Sequence, residues 1–205
     1  MSNFLLACAH LNPIGIIQTG GYLGIAIIIF AESGLLAGIF FPGDSLLFAA
    51  GLFSGIGVLS LAPLLLCVVV AAILGDTVGY WFGKNVGTNF FNRKDSLLFK
   101  REYLERTQAF YKKYGGRAVL LSRFVPIVRT IAPILAGIGG MKYRIFFSYN
   151  ALGGILWGGG VLLISYFLGA HIPNAQHYIT PVSIGIIVVS FLPIFINVVR
   201  GKRAI

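Results

Sequence analysis

Apolar residues along this chain come in long runs rather than in short alternation, and the runs differ in what interrupts them. Ile14–Ala31 is an apolar run of about 18 residues, long enough to cross a bilayer core. Residues 34–57 are also apolar, but Phe41-Pro42-Gly43-Asp44 breaks them in the middle. A Pro-Gly break that carries a charge does not fit a straight span. It fits a re-entrant hairpin, whose irregular backbone must be buried in protein or line a wet cavity. Residues 59–83 read as a full span with Pro63 in the first turn, where proline is tolerated. Within it Ala71, Gly75, Gly79 and Gly83 recur every four residues, a small-residue stripe suited to close helix packing.

The pattern then changes. Residues 84–116 are polar and basic, and Phe99, Tyr103, Leu104, Phe110, Tyr111 and Tyr114 follow helical spacing with Lys100, Arg101, Arg106, Lys112 and Lys113 on other faces. This predicts an amphipathic helix ending at Gly115-Gly116, lying at the membrane interface or solvated in a loop. Residues 117–141 are apolar again, broken by Pro126 and Pro133 and carrying Arg123 and Arg129, which predicts a second re-entrant hairpin. Residues 145–169 read as a span with Trp157 among glycines, and 180–200 as another. The expected fold is therefore an all-α polytopic membrane protein. It has about four transmembrane helices, two opposed re-entrant hairpins at about 34–57 and 117–141, and one amphipathic cytoplasmic helix, all in a single membrane domain over 1–205.

Composition supports this class. Of 205 residues, 57% are hydrophobic, 27 are glycine and only 11% are charged; soluble domains carry about 25% charge. Mean hydropathy is +0.88. That leaves too little polar material to cover a soluble surface, and a disordered chain is excluded on the same grounds. The net charge of +10 would suggest nucleic acid in a soluble domain. Its distribution argues otherwise. Residues 1–83 hold no Lys or Arg, thirteen basic residues lie between Lys84 and Arg144, and Arg200, Lys202 and Arg203 follow. Such clustering marks loops at the cytoplasmic face, so both termini are expected inside and no nucleic acid is expected. The two hairpins then open from opposite faces, the arrangement of an inverted-repeat transporter.

Charges in the apolar runs are the candidate chemistry. Glu32, Asp44 and Asp76 are the only charges in the first 83 residues, and Arg123 and Arg129 the only ones inside the second hairpin past Arg117 at its first residue. Each costs roughly 2.5–3.5 kcal/mol at a helix centre, on the order of 10 kcal/mol together, if it faces lipid. They must face a cavity or one another. Arg123 and Arg129 are about 240° apart on a straight helix, but Pro126 interrupts it, so both could turn into one cavity. Two arginines suit a phosphate, through bidentate charge-assisted hydrogen bonds. The structural alternative is internal ion pairs with Glu32, Asp44 or Asp76, and the two roles could alternate during transport. Glu32 and Asp44 flank the first hairpin, where proton carriage is the functional reading because low dielectric favours the neutral acid. Asp76 and Tyr80, like Asn150, fit a helix-locking hydrogen bond as well as a transport role. His10, His171 and His177 show no ligand spacing, so no metal or other cofactor is expected. Cys67 reads as a small apolar residue, and no disulfide is expected.

These residues resemble the DedA family of bacterial inner-membrane proteins, which share the VTT domain. The motifs are Glu32, Phe41-Pro42-Gly43-Asp44-Ser45, Gly75-Asp76-x-x-Gly79-Tyr80-x-x-Gly83 and Ser122-Arg123-Phe124-x-Pro126-x-x-Arg129, over about residues 20–170. The resemblance implies opposed re-entrant hairpins and lipid translocation. Family members are linked to returning undecaprenyl phosphate to the cytoplasmic face or to moving phosphatidylethanolamine, several with the proton-motive force. It maps essential acids and arginines onto Glu32, Asp44, Arg123 and Arg129, with Asp76, Tyr80, Pro42, Gly43 and Pro126 in support. The expected partners are a membrane lipid and protons, with homo-oligomerisation left open. The reading is a flippase for a lipid phosphate, with phospholipid scrambling as the alternative. A membrane assembly scaffold would not need paired intramembrane arginines. A lipid phosphatase needs a histidine near the phosphate, and none lies between Asn12 and Ala170.

Overall fold

A computed structural model describes residues 13–35, 43–87 and 101–171, and these are helical with no strand among them. The helices are α1 (Pro13–Gly34), α2 (Gly43–Gly55), α3 (Leu61–Phe82), α4 (Arg101–Tyr114), α5 (Gly116–Ser122), α6 (Pro126–Ile138), α7 (Tyr143–Gly154) and α8 (Gly160–His171). A π turn, Gly83–Gly87, extends α3, and another, Ile155–Gly159, joins α7 to α8. Pro42, the expected descending arm before it, Phe99, Lys100 and the expected span at 180–200 lie outside the described residues.

Among the described residues, two continuous helices are long and apolar enough to cross a membrane, Leu61–Asn85 with 25 residues and Tyr143–His171 with 29. At 1.5 Å per residue, ~37 Å and ~43 Å exceed a ~30 Å hydrocarbon core. They match the expected spans at 59–83 and 145–169. The first span departs from expectation. Gly21 adopts φ 50°, a left-handed conformation that glycine enters at little cost, and it kinks α1 so that the straight apolar helix is Gly20–Gly34. The two expected hairpins contain helices of only 13 residues, α2 and α6, which at ~20 Å cannot cross.

The chain divides into two compact units. The first draws on Met1–Ile25, Pro42–Leu64 and Val161–Ile205, and here α2 packs on α8 through small residues. A Cβ added at Gly55 would come within 2.7 Å of the Ala170 amide nitrogen, and one at Gly169 would meet the Leu52 backbone at 3.0 Å. Gly51-x-x-x-Gly55 on α2 facing Ser165-x-x-x-Gly169 on α8 is a small-xxx-small pairing that lets two backbones touch. The Tyr22 hydroxyl accepts from the Ser60 amide at 2.8 Å in the same unit.

The second unit holds Ala26–Phe41 and Leu65–Gly160. Its axis is α3, apolar all round. Leu66, Val70, Leu74 and Val78 form an exposed stripe, and Val68, Ala72, Asp76 and Tyr80 are buried. A helix without a polar face belongs in a membrane or a core. The glycine stripe does what its spacing predicts. A Cβ on Gly75 would lie 2.6 Å from the Phe30 carbonyl of α1, and one on Gly34 would lie 2.7 Å from the Gly75 carbonyl. Further along, a Cβ on Gly83 would strike the Ile134 backbone of α6 at 2.8 Å. The stripe thus presses α3 against α1 at one level and against α6 at the next. Around Tyr80 the core continues through Val119, Ala136, Met141 and Phe146.

The amphipathic segment forms α4 and stops at Gly115, whose φ of 58° turns the chain into α5. Tyr111 pins it: the hydroxyl donates to the Ala132 carbonyl at 2.9 Å, and burial pushes its pKa up to about 12. The second broken segment is α5, an irregular step over Arg123–Val125, and α6. Val125 is extended (φ −116°, ψ 109°), as a residue before proline should be, and Pro126 opens α6 where its missing N–H costs nothing.

Gly75→Ala should therefore destabilise the protein by ~1–3 kcal/mol, since the obstruction is backbone. Gly160→Ala, with nothing within 4 Å of the new Cβ, should be neutral or stabilising by up to ~1 kcal/mol. Thermal unfolding in detergent separates the two. A Gly75→Ala variant as stable as wild type would deny the close approach of α1 and α3.

Candidate functional site

The second unit gathers four of the charges that the sequence placed in apolar runs. Glu32 lies in the last turn of α1 and Asp76 in the middle of α3, one residue from the Gly75 contact that draws these helices together. Arg123 caps α5 at the break, and Arg129 is in the first turn of α6. All four are buried, with exposures of 5% for Glu32, 3% for Asp76, 4% for Arg123 and 8% for Arg129. They form two ion pairs, Arg123 Nη2 with Asp76 Oδ2 and Arg129 Nη2 with Glu32 Oε1. The net charge of the cluster is zero, which is how a low-dielectric interior tolerates it.

Each arginine has a further partner. Arg123 Nη2 also donates to Asn150 Oδ1 at 2.5 Å and to the Ala72 carbonyl at 3.4 Å. Asn150, fully buried on α7, returns its Nδ2 to the Ile73 carbonyl at 3.1 Å, so one side chain ties α7 to α3 and to Arg123. The stem of Arg123 runs over Gly153, where a Cβ would lie 2.7 Å from Arg123 Cδ. Arg123 Nε is buried with no acceptor among the described residues. Arg129 lies over the Trp157 ring, its Cζ 4.6 Å from the centroid. A cation over an indole face gains ~0.5–2 kcal/mol, the upper end when desolvated. Trp157 sits in the π turn Ile155–Gly159, and such turns re-aim side chains within a helix.

The remaining expected site residues fall elsewhere. Asp44 is in the first turn of α2, in the first unit, half-buried beside Gly43 and Ser45, both buried. A carboxylate there is favoured by the helix N-terminus. Tyr80 turns away from the arginines. Its hydroxyl donates to the Met141 carbonyl at 2.5 Å and its ring stacks on Phe146 at 4.6 Å, locking α3 to the turn between α6 and α7. Pro126 contributes the break that lets Arg123 and Arg129 each find a different acid.

A family model, the VTT domain, matches residues 41–167. Protein DedA of Escherichia coli (strain K12) is 44% identical over 188 residues, covering 89% of this chain and 84% of that protein. The chain belongs to the DedA family. Another similar relative is a membrane protein of Mycobacterium tuberculosis, 42% identical over 88% of this chain and 80% of its own length. Inner membrane protein YqjA of Escherichia coli is 33% identical over 72% of this chain and 67% of its own length. No solved structure matches. This DedA-family chain is thus a membrane protein. The matched domain takes in Asp44, Asp76, Arg123, Arg129, Asn150 and Trp157, while Glu32 precedes it.

Removing one member of a buried ion pair costs ~3–5 kcal/mol, whereas replacing both by apolar groups is often neutral. Asp76→Ala should therefore lower stability in detergent far more than the double change Asp76→Leu/Arg123→Met. A double variant no more stable than Asp76→Ala would show that Arg123 does not depend on Asp76.

Proposed function

We propose that this protein is not an enzyme but a transporter. It moves a lipid phosphate, undecaprenyl phosphate, across the bacterial inner membrane, and protons reset it. The observation that supports this reading is the pair of buried arginines, each held by a carboxylate, in a DedA-family membrane protein. Structural ion pairs alone are a poor use of such charges, because apolar residues would stabilise a membrane core at lower cost. A carboxylate that can be exchanged for a phosphate gives the arrangement a purpose.

In this account the headgroup phosphate displaces Glu32 from Arg129 and Asp76 from Arg123. The guanidinium groups then meet several phosphate oxygens at once. Each displaced carboxylate is left buried without its cation, a state costing several kcal/mol that protonation relieves. Phosphate binding and proton uptake are thereby linked, and proton loss restores the ion pairs and expels the lipid. Asn150 and Trp157 keep the two guanidinium groups in place during the exchange. The prenyl tail stays in the bilayer. The 13-residue helices α2 and α6, too short to cross, support two re-entrant hairpins entering from opposite faces, with the basic α4 and both termini in the cytoplasm. Asp44, at the start of α2, carries a proton in the first hairpin.

The cluster holds both signs of charge, and that favours a second reading. A zwitterionic phosphatidylethanolamine would place its phosphate on an arginine and its ammonium on an acid. A phosphate monoester carries up to two charges and three free oxygens, which two arginines match better.

Reconstituted vesicles loaded with each lipid, with and without a pH gradient, test the proposal. Arg123→Ala and Arg129→Ala should insert but lose transport, and Arg129→Lys should not restore it fully. Glu32→Gln and Asp44→Asn should lose the response to the pH gradient while still binding lipid. Wild type should bind undecaprenyl phosphate at least ~10-fold tighter than phosphatidylethanolamine, about 1.4 kcal/mol. Equal affinity, or transport by both alanine variants, would overturn the phosphate site. For topology, a cysteine at Lys112 should resist an impermeant thiol reagent added outside intact cells.

A further inference from the structure

A groove of about 710 Å³ runs between α4 and the broken hairpin, and the ion-pair cluster does not line it. Its walls are Phe110 and Tyr114 from α4, Leu121 from α5, Val125 from the break, and Val128 and Leu135 from α6. Five of these, Phe110, Tyr114, Leu121, Val125 and Val128, remain 46–66% exposed. Isolated exposed apolar residues are ordinary, but a contiguous concave set of this size is the form of a binding site.

The groove is polarised. Arg117 lines it, on the first turn of α5, and Lys112 and Lys113 stand just before the Gly115 turn on α4. Lys113 Nζ lies 5.3 Å over the Tyr114 ring at the rim. One end of the groove therefore carries Arg117 in its wall and Lys113 beside Tyr114 at its rim, and the rest is lined mainly by valines, leucines and aromatic rings. Polar atoms deeper in the wall are spent inside the protein, since the Ser122 hydroxyl donates to the Val119 carbonyl at 2.7 Å and the Tyr111 hydroxyl to Ala132. A cationic end on an apolar trough describes an amphiphile with an anionic head.

We propose that this groove holds one acyl chain of an anionic glycerophospholipid, with its phosphate against Arg117. The bound lipid seats α4 on the hairpin in the membrane interface. A zwitterionic lipid is a poorer fit, because its ammonium would stand against Arg117, the cation that lines the groove. The site is separate from the transport cluster, and the proposal does not depend on which lipid is moved.

Native mass spectrometry of the purified full chain tests it with two lipids of matched acyl chains, phosphatidylglycerol and phosphatidylcholine. One phosphatidylglycerol should be retained about fivefold more tightly than phosphatidylcholine, ~1 kcal/mol. Arg117→Gln should erase that preference. Arg144→Gln, a change at an exposed cation outside the groove, should leave it intact. Val128→Trp, which fills the groove from an exposed position, should weaken both lipids. Equal retention of the two lipids, an unchanged preference in Arg117→Gln, or displacement of phosphatidylglycerol by equimolar undecaprenyl phosphate would overturn the assignment.

Discussion

Two arginines held in an apolar interior need anions within reach, and the second unit is arranged around meeting that need. Arg123 and Arg129 come from one broken segment, yet their acids come from two other helices, Asp76 on α3 and Glu32 on α1. The acids reach them because Gly34 and Gly75 let α1 and α3 touch backbone to backbone. The arginines reach the acids because the step over Arg123–Val125 releases each guanidinium from a common helical register. Glycine packing and the proline break thus serve one electrostatic end. A larger residue at either glycine would separate the charges as well as the helices.

The same arrangement makes the cluster suited to exchange. A neutral set of two cations and two anions is stable while closed, and any anion that binds one arginine must release a carboxylate. That coupling follows from the cost of buried charge and does not require a long-range conformational signal. Asn150 and Trp157 matter here because they contact the guanidinium groups without being anions. In the proposed exchange they would keep the arginines placed while the carboxylates leave.

Much of this was legible in the sequence. The spans at 59–83 and 145–169, the amphipathic helix and the break before Pro126 follow from hydropathy, periodicity and proline chemistry. The buried charges stood out because each is costly in an apolar run. Which acid meets which arginine was not legible. A spacing of six residues around a proline leaves both guanidinium directions open, and the choice is made by contacts such as Gly153 beneath Arg123. Trp157 was visible among its glycines but not as a partner of Arg129, because a π turn shifts its direction and glycines do not reveal that register. Tyr80 shares a motif with Asp76 yet serves the turn between α6 and α7, four residues being enough to move from the cluster to the Met141 contact. The kink at Gly21 was hidden by the uniform hydropathy of the first run. The α2–α8 contact was hidden because Gly51, Gly55, Ser165 and Gly169 are small in isolation and meaningful only as a facing pair.

The exchange of carboxylate for phosphate is the central claim, and infrared difference spectroscopy reads it directly. Undecaprenyl phosphate added to the purified protein should produce the carbonyl stretch of a newly protonated carboxylic acid. That band should lose intensity in Glu32→Gln and persist when binding is repeated with Asp44→Asn. Binding of the lipid without any protonated-carboxyl band would show that Glu32 and Asp76 stay on their arginines, and would contradict the account.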